Sequence, residues 1–476
     1  MSGGRPRLVV ASNRGPFTLE ERSDGSVALH PGAGGLAPSL AAALAGRTDT
    51  VWVAAALSPA DRTAAGRSED VAVESDQSGL ALRFVDIDDE TFRSAYDVVA
   101  NATLWFSFHG LFDASRRPLF DRRFYEAWER YRLYNLAFAA AVDAVAAPGA
   151  VVLVNDYHLL LTGSALAQAR PDLFTVHFSH TPFPGAEELE LLPPSVRAEL
   201  LGSMSCFGAC GFHTARWAGG FRRCADAAGI EAPPTFHAGL GADLERLRAL
   251  AGSEAVGRHA SALEERFSGR RLIVRSDRIE LSKNILRGLR AFDLVLHEHP
   301  ALRGRVTMLS RGYPSREGLP EYLAYRAEVE HLTELVNERW ATSTWTPVEL
   351  DVDDEFSATV AALMRYDVLL VNPVRDGMNL VAKEGPSLNT RDGVLVLSRF
   401  AGAYEDLGED ALSIHPFDVS DTADALVRAL EMPAGERSRR AAALRSKAQH
   451  LAPAAWLEQV LSEARLSGRA VTRPSC

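Results

Sequence analysis

The sequence predicts an α/β protein with two doubly wound halves facing across a cleft. Short apolar runs alternate with longer helical patterns along all 476 residues, as in parallel sheets covered by helices. The length exceeds what a single hydrophobic core usually organises, so two or more domains are expected. In both halves polar clusters follow the apolar runs directly, where strands of such sheets end and ligands bind.

The first half carries expected strands at 8–12, 51–57, 82–87, 151–155 and 174–180. A helix is expected over 124–147, with Trp128, Leu133, Leu136, Phe138 and Val142 facing the core. The second half repeats the pattern with strands at 272–276, 306–310, 368–372, 394–398 and 412–416. The charged helical stretch 245–269 joins the halves. The expected division is therefore a first Rossmann-like domain over 1–245, a second over 246–450, and a final segment, 451–476. That segment is helical after Pro453 and has room to pack back on the first domain.

Composition narrows the function classes. Hydrophobic residues make up 47% and charged residues 24%, which is globular rather than disordered. A net charge of −11 disfavours a nucleic-acid partner. No apolar run reaches membrane-spanning length, and the first residues lead into a strand without a signal-peptide core, so a cytoplasmic protein without a membrane partner is expected. A homo-oligomer is compatible with the sequence. Of four cysteines, Cys206, Cys210 and Cys224 cluster near His213. They lack the paired spacing of structural zinc and sit in an apolar segment, so buried free thiols are expected. The acidic run 351–355 precedes a helical pattern and reads as an acid-rich helix start.

The most informative stretch is Asp376-Gly377-Met378-Asn379-Leu380-Val381-Ala382-Lys383-Glu384, which follows the apolar strand at 368–372. A helix opening at the carboxyl end of a parallel strand points free N–H groups at the crevice, where phosphates bind. Asp376 sits at the turn and Glu384 about two helical turns on. Two carboxylates beside an anion-binding helix start suit a ligand with hydroxyls and a diphosphate, such as a sugar nucleotide. A capped helix with a solvated acid fits the local pattern equally well. Gly32-Ala33-Gly34-Gly35-Leu36 is a glycine loop before a helix, although it lacks the dinucleotide spacing.

Three more clusters close strands: Asn155-Asp156-Tyr157-His158, Ser179-His180-Thr181-Pro182-Phe183-Pro184, and Asp277-Arg278-Ile279-Glu280-Leu281-Ser282-Lys283-Asn284. Fixed cations such as Arg278 and Lys283 offset the charge that develops on a departing diphosphate. Taken singly, both also read as solvated surface cations.

Together these motifs resemble the trehalose-6-phosphate synthases, glycosyltransferase family 20. The likeness covers nearly the whole chain, from Ser12-Asn13-Arg14-Gly15-Pro16 through Gly211-Phe212-His213-Thr214 to Ser398-Arg399-Phe400-Ala401-Gly402-Ala403 and beyond. It implies a retaining transferase of the two-domain GT-B fold, with the first domain on the acceptor side and the second on the donor side. The reaction it implies joins a nucleotide-glucose to glucose 6-phosphate without metal or cofactor. The implied roles are Arg278 and Lys283 on the donor diphosphate, with main-chain amides near Asn379 and Leu380, and Met378 in the same donor loop. Asp376 binds hydroxyls of the transferred glucose, His180 its 6-hydroxyl, and Glu384 the ribose. Gly34 and Gly35 close over the donor, and Asp156 orients the acceptor. Arg14, Tyr96, Trp105 and Arg316 form the acceptor group, with the arginines on its phosphate.

The chain departs from the family pattern at two places. Many members have Leu-Asp-Tyr-Thr-Lys-Gly where this one has 279–284, and His-Ile-Pro-Phe-Pro where it has 180–184. These surroundings resemble an actinobacterial branch associated with GDP-glucose, which is favoured here over UDP-glucose. A pseudo-glycosyltransferase coupling a nucleotide-activated cyclitol to an aminocyclitol phosphate, a glucosylglycerol-phosphate synthase and a non-catalytic binding subunit are the alternatives.

Overall fold

Apolar runs with no polar alternation become strands buried on both faces, and that requirement organises the chain. The computed structural model describes residues 7–22, 27–31, 36–66, 71–72 and 80–470. The chain divides into two units, Met1–Leu240 with Pro453–Cys476, and Gly241–Ala452. Both are α/β units built on a largely parallel sheet.

The first unit contains β1 (Leu8–Ser12), β2 (Phe17–Glu21), β3 (Val27–Pro31), β4 (Thr50–Ala55), β5 (Val71–Ala72), β6 (Ala81–Val85), β7 (Val151–Asn155), β8 (Phe174–Ser179), β9 (Ala209–Phe212) and β10 (Thr235–His237). Eight of them form one sheet in the order β10-β9-β8-β7-β1-β4-β6-β5. All neighbours run parallel except the short β5 against β6, while β2 and β3 form a separate antiparallel hairpin. The chain winds outward from β1 through β4 and β6, then returns to β7 on the other side of β1. The strand order therefore reverses between β1 and β7, and the carboxyl ends of these strands diverge into a crevice there. Helix Pro453–Ala470 belongs to this unit. Its residues Trp456, Leu457, Val460, Leu461 and Ala464 recur on one helical face and join the core formed by Val176 and Phe178 of β8.

The second unit contains β11 (Arg271–Arg278), β12 (Val306–Tyr313), β13 (Val348–Val352), β14 (Val368–Val371), β15 (Val394–Ser398) and β16 (Leu412–Ile414). They form one parallel sheet in the order β13-β12-β11-β14-β15-β16. Successive side chains of a strand point to opposite faces, and the two cores follow that alternation. Ile273, Val368, Leu370, Val394 and Val396 lie in one cluster. Leu272, Val274, Leu369, Val371, Leu395 and Leu397 lie in the other. Here the order reverses between β11 and β14.

Three expectations need correction. The helix expected over 124–147 spans Arg122–Val145, capped by Asp121 accepting from the Phe124 N–H. Trp128, Phe138 and Val142 are buried, but Leu133 and Leu136 are half exposed. The buried stripe runs through Trp128, Tyr131, Asn135, Phe138 and Val142 at three- and four-residue steps, which turns Leu133 and Leu136 outward. Cys210 and Cys224 are buried free thiols. Cys206, just past the end of helix Pro194–Ser205 at the rim of the core, is disulfide-bonded instead. In the acidic run, Asp351 lies on β13, and Arg311 takes both Asp351 (3.1 Å) and Asp353 (2.5 Å). No acid stands in the first turn of the following helix, Phe356–Arg365.

Gly163 marks the tightest helix contact of the first unit. A Cβ there would overlap the Ser203 carbonyl oxygen and the Phe207 ring, so helix Thr162–Ala169 lies directly on helix Pro194–Ser205. Gly163→Ala is expected to cost ~1–3 kcal/mol by overpacking. Chemical denaturation measures this, and an unchanged midpoint would contradict the close approach.

Candidate active site

Both reversals of strand order collect the polar clusters. In the first unit, Asn13 and Arg14 follow β1, Asp156 follows β7, His180 follows β8 and His213 follows β9. In the second, Arg278 ends β11, Lys283 stands in the turn after it, and Asp376 follows β14. Among described residues, the non-glycine positions with positive φ are Asp156 (70°), Asn284 (58°), Arg316 (49°), Asn379 (72°) and Asp392 (51°). All but Asp392 are predicted site residues or adjoin one. Such conformations cost energy and cluster where function holds them in place.

In the first unit Trp52 donates to Ser12 Oγ (2.8 Å), and Ser12 Oγ donates to the Arg14 carbonyl (2.7 Å). That chain of bonds fixes the turn after β1. The exposed Arg14 guanidinium reaches the Tyr96 hydroxyl at 3.4 Å. Tyr96 lies in a π-helical segment, Ser94–Leu104, its ring stacked between Phe92 (5.3 Å) and His158 (5.5 Å). Trp105 follows directly, buried against His109 and Tyr157. The Tyr157 hydroxyl donates to Asn101 Oδ1 at 2.9 Å, which ties the β7 turn to the π-helical segment. Arg14 and Tyr96 therefore meet directly, while Trp105 joins them through the Tyr157–His158 pair.

Asp156 accepts from the His180 main-chain N–H at 3.2 Å, linking the ends of β7 and β8. The His180 ring is held at both nitrogens, by Asn155 Oδ1 (3.0 Å) and by His213 Nε2 (3.1 Å). Asn155 donates its amide to the carbonyls of Ala11 and Leu153, so its oxygen faces His180 and accepts from Nε2. Burial, with His213 and His177 alongside, holds His180 well below the usual imidazole range and keeps the ring neutral. To donate to any ligand from Nε2, the neutral ring must release Asn155.

The second unit joins residues far apart in sequence. Lys283 Nζ lies 2.5 Å from Asp376 Oδ2, although the two are 93 positions apart. Burial opposes the Lys283 charge, but Asp376 and Glu280 outweigh it and leave the ammonium above its ordinary pKa. Asn379 also donates to Asp376 Oδ2 at 3.2 Å. Gly402 lies against the turn after Asp376, where a Cβ would overlap the Gly377 carbonyl oxygen. Met378 is buried, and its carbonyl accepts from the Ala403 N–H at 2.7 Å. Helix Val381–Leu388 then begins, shorter than the pattern before Gly393 suggests and with Leu380 at its cap. The N–H groups of Asn379 and Leu380 have no protein acceptor among the described residues, as is usual at a helix start. Lys383 is fully buried and paired with Asp406 at 2.8 Å, which anchors this helix.

The central acid of the second cluster is Glu280, which the sequence offers no reason to single out within the 277–284 cluster. It is fully buried. It takes Arg278 at 3.1 Å on Oε1 and Arg316 at 2.7 Å on Oε2, with Ser282 Oγ donating to Oε1 at 3.1 Å. Arg316, expected with the acceptor group, thus belongs to the second unit beside Arg278. His213 and Asn155 stand in the sequence motifs, but their contacts with the His180 ring appear only in the fold. No sequence signal pairs them, because each contact closes only when the strands align. Gly34 and Gly35 lie outside the described residues.

The glycosyltransferase family 20 model matches residues 6–465. The chain belongs to glycosyltransferase family 20. It is 32% identical over 464 residues to the bifunctional trehalose-6-phosphate synthase/phosphatase of Thermoproteus tenax, covering 93% of this chain and 61% of that one. It is 32% identical over 456 residues to the alpha,alpha-trehalose-phosphate synthase [UDP-forming] 1 of Arabidopsis thaliana, covering 92% of this chain and 47% of the relative. This family 20 chain thus spans about half to three-fifths of the length of these curated relatives. A UDP-forming alpha,alpha-trehalose-phosphate synthase from Burkholderia xenovorans, solved in complex with glucose-6-phosphate, shares the fold with a TM-score of 0.83. It is 29% identical, over 97% of this chain and 100% of that one. The GT-B fold of the family is therefore the fold of this protein.

Glu384 gives the site a pH signature. Burial, opposed by Arg246, pushes its carboxyl from 4.5 up to about 7. A folded-state value above the unfolded one penalises the ionised form. The penalty is absent below the unfolded value, grows as pH rises, and is complete above about 7. Glu384→Gln is therefore expected to stabilise the protein near pH ~8 and to leave it unchanged near pH ~4. Unfolding free energies at the two pH values measure this, and parallel curves for variant and wild type would contradict it.

Proposed function

We propose that this chain transfers glucose from a nucleotide-glucose to glucose 6-phosphate, with retention, giving α,α-trehalose 6-phosphate. The cation–carboxylate cluster of Arg278, Glu280, Arg316, Lys283 and Asp376 in a family 20 chain is the observation that carries this reading. The second unit takes the donor. Arg278 and Lys283 bind its diphosphate with the open N–H groups of Asn379 and Leu380, beside Met378 in the same loop. Asp376 takes hydroxyls of the transferred glucose, and ionised Glu384 accepts from the ribose. The first unit serves the acceptor, with Asp156 orienting it and His180 on the 6-hydroxyl of the transferred glucose. Gly34 and Gly35 close over the donor. Arg14, Tyr96, Trp105 and Arg316 take the acceptor, the two arginines its phosphate, where a planar guanidinium suits bidentate contact.

No side chain of the set is placed as a covalent nucleophile. Bond breaking leaves negative charge on the departing phosphate oxygen, which accepts the proton of the attacking acceptor hydroxyl. Arg278 and Lys283 stabilise that developing charge, and charge stabilisation of this kind is usually the largest catalytic contribution. The curated relatives named above include a UDP-forming synthase. We infer GDP-glucose for this chain from its departures at 279–284 and at Thr181.

Incubating glucose 6-phosphate with GDP-glucose and UDP-glucose in parallel, read by NMR, tests the reading. An α,α-1,1-linked disaccharide phosphate formed faster from GDP-glucose is expected. Faster turnover of UDP-glucose would reverse the nucleotide assignment, and no product from either would refute the activity. Arg278→Ala should lose ~2–4 kcal/mol of transition-state stabilisation, roughly 30- to 1000-fold in kcat, by analogy with removal of an oxyanion donor. Near-normal turnover in that variant would remove Arg278 from the mechanism.

A further inference from the structure

Thr181 follows His180 at the end of β8 and is only 4% exposed. Its hydroxyl has no hydrogen-bond partner among the described residues. Burying an unpaired hydroxyl is costly, and a threonine normally rotates to find a nearby carbonyl. Here the segment is anchored on both sides. His180 is bonded through its amide to Asp156 and through its ring to Asn155 and His213. On the other side, Phe183 is buried, its ring edge-on to Phe212 (5.7 Å) and Phe221 (5.3 Å) and tilted on Phe108 (5.1 Å). Pro182 and Pro184 further restrict the backbone. The hydroxyl is buried with no internal partner among the described residues.

We propose that Thr181 Oγ1 binds a sugar hydroxyl of the substrate, which makes it a specificity-determining residue beside His180. A hydroxyl donates once and accepts twice, the same capacity as the sugar hydroxyl it would meet. Phosphate would instead favour a cation, and the described partners of the segment are neutral side chains and one carboxylate, Asp156. The inference rests on the glycosyl-transfer reading given above. The transferred glucose and the acceptor sugar offer the same chemistry, and kinetics with each substrate varied in turn separates them.

The isosteric change T181V separates binding from structure by opposite signs. Removing a buried, unpaired hydroxyl relieves a cost, so the variant should melt at or above the wild-type temperature. Losing a substrate hydrogen bond should lower kcat/KM by about tenfold for the substrate whose sugar it meets. T181S, which restores the hydroxyl, should recover most of the loss. Full activity in T181V would overturn the proposal, and so would a lowered melting temperature, which would reveal an internal partner for the hydroxyl. If the wild type turns over neither donor, the glycosyl-transfer reading fails separately. Calorimetry with glucose 6-phosphate and with GDP-glucose then carries the test on the same proteins. Weaker binding by T181V supports the inference, while equal affinities, or no binding by either protein, overturn it.

Discussion

A parallel sheet covered on both faces leaves the carboxyl ends of its strands as the place where a ligand can meet it. Everything else about this protein follows from that restriction. The alternating side chains of β14, β15 and the first half of β11 are spent on two apolar cores. Arg278 ends β11 and Asp376 follows β14, so both lie where the strands stop. Their burial then demands partners, since an isolated charge out of water is costly. The Lys283–Asp376 pair and the shared carboxylate of Glu280 meet that demand. The same rule operates in the first unit with neutral groups, where Asn155, His180 and His213 satisfy one another across three adjacent strands.

The turns that leave these strands are unfavourable in themselves. Asp156, Asn284, Arg316 and Asn379 all adopt left-handed backbone conformations that side chains with a Cβ resist. They persist because the sheet on one side and a helix or ion pair on the other leave no alternative. Asn379 illustrates this, with its side-chain Nδ2 donating to Asp376 and its side-chain Oδ1 accepting from the Ala382 N–H. On the proposed function, rigidity of this kind suits a site that presents cations to a charge developing only during reaction.

Much of the architecture was legible in the sequence, for a physical reason. Central strands such as β1, β7, β14 and β15 are apolar on both faces, and no loop or surface helix imitates them. Strands that escaped notice are short, half solvated or polar: β2, β3, β5, β9, β10 and β13. The polar clusters at strand ends were legible as residue types, but their partners were not. Glu280 looked like a substitution in a motif until the fold set it between Arg278 and Arg316. Leu133 and Leu136 were misplaced because a long helix with aromatic residues on several faces offers more than one apolar stripe.

Glu280 has a consequence for how the second cluster meets an anion. Arg278, Arg316 and Lys283 supply three positive charges, while Glu280 and Asp376 return two negative ones. Without ligand the cluster is nearly neutralised from within. On the proposed function, an arriving phosphate would exchange places with carboxylates at guanidinium and ammonium groups that are already paired and partly desolvated. Association of this type releases few counterions from solution, so its strength depends more on geometry than on ionic strength. The cluster acts less as an electrostatic attractor than as a lock whose internal contacts must be traded for external ones.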